Sequence, residues 1–391
     1  MTFIQFFQNR TKNFWLFEAS TTLFFIGNSI TSIFIPIILL KTGFSVKDVI
    51  FYYIIFHFLD VVFNFLAKAT LEKLGAKKLY FIGVIFNIIF YLFYAFFLKE
   101  VDWGILILMA TFSALFDSFF YNAYYYLIFA TTEKIENVKT NNIIVNTLIN
   151  FSYLVGPLIG SGIILFTEND KILFYVSLLF FTFSLFPLLF YKTKYKIKKH
   201  PLKFKDFFND KTNKRNFFSW ALYKIIETSE WVIFPIYIFL IFQKLDNIAY
   251  ISIISTLAIF ITTFVSGSVK RENRKKIIIL GALHLTFLWL LRIFVSNEFL
   301  LYLSVALAQI FLIFIFIPLD TNIFRHSEEI DKPVLTAFYK NTISMFSKMI
   351  FYILVFILLN FFEIQNIFWI VIFFLLALVL INKKTLFKLR F

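Results

Sequence analysis

The stretch "KTKYKIKKHPLKFKDFFNDKTNKR", residues 192–215, is the longest polar run in a chain of 391 residues. On either side of it the sequence is dominated by Phe, Ile and Leu. Hydrophobic residues make up 60% of the chain and charged residues 16%, against about 45–50% and about 25% in a typical soluble domain. The mean hydropathy is +0.82. Apolar stretches of about 20 residues, the length that crosses a bilayer as a helix, follow one another along the whole chain. The composition therefore predicts an all-α protein that crosses a membrane many times.

Spans are expected at 14–40, 48–67, 78–99, 103–131, 140–166, 171–191, 216–242, 248–268, 276–296, 299–324, 339–360 and 366–382. That makes twelve, six on each side of the polar run. The expected organisation is an N-terminal six-helix bundle over 1–191, a basic linker over 192–215 and a C-terminal six-helix bundle over 216–391. The halves echo each other, because a basic loop follows the second span of each: "LEKLGAKK" at 71–78 and "SVKRENRKK" at 268–276. Two six-helix halves in parallel repeat are a recurrent plan among secondary transporters.

The formal net charge is +15, but its distribution argues for topology rather than for nucleic acid. Lys and Arg concentrate in every second loop, in the linker and in the tail. The positive-inside rule then places both termini and residues 192–215 in the cytoplasm. The expected location is the cytoplasmic (inner) membrane, with the basic loops against anionic lipid. No basic domain with a fold of its own is present, so no nucleic-acid partner is expected. The first apolar segment is long and lacks a small-residue cleavage site, so it reads as a retained span. The chain has no cysteine, which excludes disulfides and thiolate metal sites. No Gly-Lys-Ser/Thr phosphate loop occurs, so ATP hydrolysis is not expected. His57, His200, His284 and His326 are scattered without metal-ligand spacing. No cofactor, metal or enzymatic activity is expected, and the chain is expected to be a monomer.

The fifth span contains "YLVGPLIGSGIILF", residues 153–166. A proline and three glycines would end a helix in a soluble protein. In lipid, Ser152, Gly156 and Gly160, recurring every fourth residue, form a small face that lets two backbones approach. Pro157 is tolerable where neighbouring helices cover the freed carbonyl. The eighth span has a comparable face in Ser255, Ala258, Thr262 and Ser266. The two faces are expected to meet, either as passive packing or as a contact that moves.

Layout and two motifs resemble the major facilitator superfamily of secondary transporters. "LEKLGAKK" is similar to the family's loop between the second and third spans. There Glu72 and Lys73 stand for the acid–base pair, Gly75 for the second glycine, and Lys77 and Lys78 for the basic end. Lys68 stands where the first glycine is expected, and Ala76 where an Arg is usual. Ser152, Gly156, Pro157 and Gly160 match the fifth-span motif of the family's exporters. In the second half, Gly267, Arg274, Lys275 and Lys276 match the repeated loop loosely, with Arg271 in place of the acid. The resemblance implies alternating access, with spans one, four, seven and ten lining a central cavity. Conformational or gating roles would fall to Glu72, Lys73, Gly75, Ser152, Gly156, Pro157, Gly160, Glu18 and Asp320.

Ionisable groups at bilayer depth are costly and need a partner or a watery cavity. Asp117 lies near the middle of the fourth span, and Glu227 and Glu230 near the middle of the seventh. Glu18 and Asp320 lie towards the expected cytoplasmic ends of the first and tenth. These five carboxylates fall on the four spans that the resemblance puts around the cavity; Asp60 is the exception. His57 and Asp60 sit three apart on the second span, hence on one face. Lys224 is one turn before Glu227, so that pair is either a local salt bridge or part of a site. Arg292, near the outer end of the ninth span, is expected to snorkel to the interface. The run "FFYNAYYYLIF" contains Asn122 and offers either ligand contacts or packing. Desolvation favours the neutral form of a carboxyl, so intramembrane acids can carry a proton. The expected substrate and proton residues are Asp117, Glu227, Glu230, Asp60, His57 and Asn122. The expected function is proton-coupled efflux of cationic or amphipathic small molecules. Proton-coupled nutrient uptake stays open, and so does a non-transporting membrane protein such as a lipid scramblase or scaffold.

Overall fold

The structure is a computed structural model, and it describes residues 11–131, 135–167, 169–192, 204–266, 274–329 and 333–387. Among them no strand occurs, and twelve helices are long and apolar enough to cross a membrane. We number these α1 Lys12–Lys41, α2 Val46–Leu74, α3 Ala76–Phe97, α4 Trp103–Ile128, α5 Thr147–Thr167 and α6 Lys171–Phe190. The others are α7 Lys211–Phe242, α8 Leu245–Thr262, α9 Arg274–Phe294, α10 Glu298–Ile323, α11 Phe338–Leu358 and α12 Ile364–Lys383. The twelve spans expected from the apolar pattern are thus present. The extreme termini, residues 193–203 of the linker, and Gly267 and Arg271 of the second basic loop lie outside the described residues.

Several spans are locally irregular. A turn at 32–34 interrupts α1 before the helix resumes over Ile35–Lys41 with Pro36 in its first turn. π-Helical turns occupy Phe93–Phe97 at the end of α3 and Ser229–Ile233 inside α7. Pro157 sits within a helix that runs without a break from Ile135 to Thr167. Such turns are frequent where a helix carries function.

The chain forms two compact units, residues 1–32 with 59–200 and residues 33–58 with 201–391. In the first unit small residues bring helices together. A Cβ at Gly83 of α3 would come within 2.7 Å of the Phe120 amide nitrogen of α4. One at Gly27 of α1 would come within 2.9 Å of the Phe180 Cβ of α6. Between these contacts the aromatic residues interlock, with Phe24 stacked on Phe120 at 4.0 Å and Tyr91 edge-on to Phe181 at 4.7 Å. With little hydrophobic drive between helices in lipid, this close packing is what holds the bundle.

In the second unit Gly281 lets α9 approach α10, where a Cβ would lie 3.1 Å from the Phe311 carbonyl oxygen. Trp289 of α9 and Tyr237 of α7 both meet Phe368 of α12, at 4.8 and 4.9 Å. Residues 33–58 join this unit through Tyr53, whose ring stacks on Tyr352 of α11 at 4.9 Å.

The end of the linker is structured beyond what its polarity suggests. A short helix over Phe204–Phe208 precedes Asp210, which caps α7. Asp210 Oδ1 accepts from the backbone amides of Thr212 and Asn213 at 2.6 and 3.1 Å, and Oδ2 lies 3.0 Å from His326 Nε2.

Candidate functional site

The first unit gathers carboxylates from α1, α2 and α4. Glu18 is 1% exposed, and its Oε1 has no hydrogen-bond partner. It lies close enough to Tyr80 of α3 and Tyr124 of α4 to interact electrostatically with both. Asp117 of α4 is also buried and interacts with Tyr121, one turn along the same helix. Tyr121, Tyr124 and Tyr125 form one cluster, with ring centroids 5.5 to 6.3 Å apart. Tyr153 of α5 interacts with both Tyr121 and Tyr124. Each acid therefore acts on a tyrosine of the same cluster, Asp117 on Tyr121 and Glu18 on Tyr124.

Asp60 and Asn122 belong to a separate polar ladder between α2 and α4. Ser118 Oγ donates to the Asp60 carbonyl at 2.9 Å and to its Oδ1 at 2.5 Å. Asn122 Nδ2 donates to Asn64 Oδ1, and to the Ser118 carbonyl at 2.7 Å. His57 goes elsewhere: its ring is stacked against Phe56 at 4.3 Å and Tyr352 at 5.6 Å, and Nδ1 has no hydrogen-bond partner.

In the second unit the acids of α7 and α10 meet bases. Lys224 Nζ lies 2.6 Å from Glu227 Oε2, and Tyr223 OH donates to Glu227 Oε1 at 3.0 Å. Asp320 of α10 pairs with Lys340 of α11. The two pairs converge on Trp220: Lys224 Nζ is 4.9 Å and Lys340 Nζ 4.4 Å from the ring centroid. Trp220 Nε1 donates to Ser344 Oγ at 2.7 Å. Lys348 interacts electrostatically with Glu227. Glu230 lies apart from this cluster. Its Oε1 meets Arg292 Nη1 at 2.7 Å, and the two side chains are 1% and 0% exposed. Arg292 also donates to Ser304 Oγ at 2.9 Å and lies over the Phe234 ring at 3.8 Å. The expectation that Arg292 snorkels is overturned, because a buried acid on α7 and a hydroxyl on α10 hold the guanidinium inside. An open cavity of about 670 Å³ near Tyr237, Phe294, Glu363 and Gln365 is lined by none of the candidate residues.

The motif residues are equally explicit. Glu72 pairs with Lys68 at 2.6 Å, so the lysine in the place of the first glycine supplies a charge partner. Lys73 is exposed. Gly75 has φ +84° between α2 and α3 with open space around it, so the backbone sign, not crowding, calls for glycine. Lys77 Nζ donates to the Leu189 and Tyr191 carbonyls at 3.0 and 2.7 Å, closing the end of α6.

Within the first unit the small face of α5 packs on α1. A Cβ at Gly156 would overlap Ser29 Oγ and come within 2.6 Å of the Ile26 carbonyl oxygen. Ser152 Oγ donates to the Thr22 carbonyl at 3.1 Å, and Ser29 Oγ donates to the Ser152 carbonyl at 3.1 Å. Pro157 and Gly160 are buried on the same helix.

The sequence reading overlooked Lys340 and Lys348, although Lys340, Ser344 and Lys348 recur every fourth residue on α11. That is the signal of one polar helix face inside an apolar span.

No curated protein matches the chain. The family model of the Major Facilitator Superfamily matches residues 19–326, which run from α1 through the whole of α10. A twelve-span helical chain with buried charge on several spans, matched by that model over most of its length, belongs to the Major Facilitator Superfamily, a family of secondary transporters.

Proposed function

We propose that the chain is a proton-coupled carrier that moves amphipathic small molecules by alternating access, with Glu18 and Asp117 as its proton sites. The supporting observation is that these two acids are buried in the first unit and each acts on a tyrosine of one cluster, Asp117 on Tyr121 and Glu18 on Tyr124. A carboxylate held in an apolar interior is expensive when ionised, and binding a proton or a cation relieves the cost. Tyrosine hydroxyls both donate and accept, so they can serve a carboxyl in either form.

The six-plus-six division, with both termini and residues 192–215 in the cytoplasm of an inner-membrane monomer, is part of the proposal. So is the outward direction, which rests on the exporter-like Ser152, Gly156, Pro157 and Gly160. Glu230 is assigned a structural role, because Arg292 neutralises it. Asp60, Asn122 and His57 are assigned to helix contacts. Lys224 and Lys340 stand beside Glu227 and Asp320 and offset the cation preference that the acids alone would give.

Proteoliposomes loaded with a pH-sensitive dye test the reading. Amphipathic compounds added outside should change luminal pH in protein-containing vesicles only, and Glu18→Gln should suppress that change. A parent protein that moves compounds with no proton flux would refute the coupling.

A further inference from the structure

The second unit holds a cluster that proton carriage by the first unit leaves unused. Lys224 and Glu227 share one face of α7 with Trp231, spaced i, i+3, i+7, and all three keep partial exposure. The exposed Phe218 lies on another face of the same helix. Lys224 spends one N–H donor on Glu227 and rests over the rings of Trp220 and Tyr223, at 4.9 and 5.5 Å. An ammonium has three donors, so this one can serve a further acceptor.

Lys340, from another helix, reaches the same indole, and each ammonium feels the other. Two like charges on one ring are unfavourable unless anions lie between or beside them. Glu227 and Asp320 supply this in the structure as it stands. Around the pair, Tyr223 and Phe316 provide apolar surface, their rings 5.8 Å apart.

We propose that Trp220, Lys224 and Lys340 form an anion-binding site that takes the carboxylate, sulfonate or phosphate group of an amphipathic organic substrate. The site deepens the transporter reading by naming the polarity of its substrate. The ammoniums receive the anionic head, and the aromatic residues of α7 and α10 cover its apolar body. Glu227 and Asp320 hold the lysines in place until the anion arrives.

The test is binding to purified full-length protein at one pH with no gradient, so it succeeds or fails independently of proton coupling. The probes are benzoate, benzenesulfonate and phenyl phosphate, set against phenyltrimethylammonium, which carries the same ring with opposite charge. At least one of the anions should raise the unfolding temperature and the cation should not. High salt should weaken the effect. Lys224→Gln should reduce the anion affinity by on the order of tenfold or more, as loss of a charged hydrogen bond does. Lys340→Gln alone strands Asp320, so Lys340→Gln/Asp320→Asn is the second variant. It should fold and lose anion binding to a similar degree. The proposal is overturned if only phenyltrimethylammonium binds, if no anion in the set binds, or if the double variant binds anions like the parent.

Discussion

Glu230 and Arg292 form an ion pair shut off from solvent, with 2.7 Å between Oε1 and Nη1 and 1% and 0% exposure. It ties α7 to α9 from within the π-helical turn Ser229–Ile233, of which Glu230 is the second residue. Removing one partner of such a pair strands a buried charge, which costs roughly 3–5 kcal/mol. Arg292→Met should therefore sharply lower the thermal stability of the purified protein. Pairing it with Glu230→Leu should restore most of the loss, since two apolar side chains leave no charge behind. A double variant as unstable as the single one would show that packing, not charge, holds this contact.

Gly156 and Gly162 lie six residues apart on the same helix. A Cβ at Gly156 meets Ser29 and Ile26, whereas one at Gly162 meets nothing within 4 Å. Gly156→Ala should separate α1 from α5 and cost about 1–3 kcal/mol, the usual range for overpacking. Gly162→Ala should be neutral or stabilising by up to about 1 kcal/mol, from helix propensity. Thermal unfolding of the two variants side by side checks the difference.

Asp210 should make stability depend on pH. Partial burial pushes its carboxyl up, but the Asn213 and Thr212 amides and His326 together hold it below the usual value. A carboxyl lowered by folding adds stability above its unfolded pKa of about 3.9. That stability is lost as the pH falls through the folded value. Asp210→Ala should cost about 1 kcal/mol at neutral pH, as loss of an N-cap does. The difference between variant and parent should shrink below about pH 4. Unfolding midpoints measured across pH decide it.

Orientation is testable because the chain contains no cysteine. A cysteine introduced at Lys205 should react with a membrane-impermeant maleimide only after the cells are opened. Labelling in intact cells would invert the proposed topology.

Much of the fold was legible because apolar length alone defines a span, and irregularities such as Pro157 leave that length intact. The partners of buried charges were harder to read. Lys224–Glu227 lies within one helix turn, so spacing revealed it. Glu230–Arg292 and Asp320–Lys340 join different helices, and no local spacing encodes which helices touch. The same limit explains α5: its small face was evident in Ser152, Gly156 and Gly160, but the identity of the facing helix was not. The Asp210 cap was hidden inside a run that read as uniformly polar.

Proton coupling, as proposed, depends on the buried acids of the first unit. Asp117→Asn keeps the size of the side chain and removes its ability to ionise. Proton flux across the membrane of dye-loaded proteoliposomes is driven by benzenesulfonate or phenyltrimethylammonium, neither of which carries a titratable proton at neutral pH. Compound-driven flux should be seen with the parent protein and lost with Asp117→Asn and with Glu18→Gln, both folded and reconstituted to the same level. Undiminished flux in both variants, at every pH tested, would mean that neither acid carries the proton.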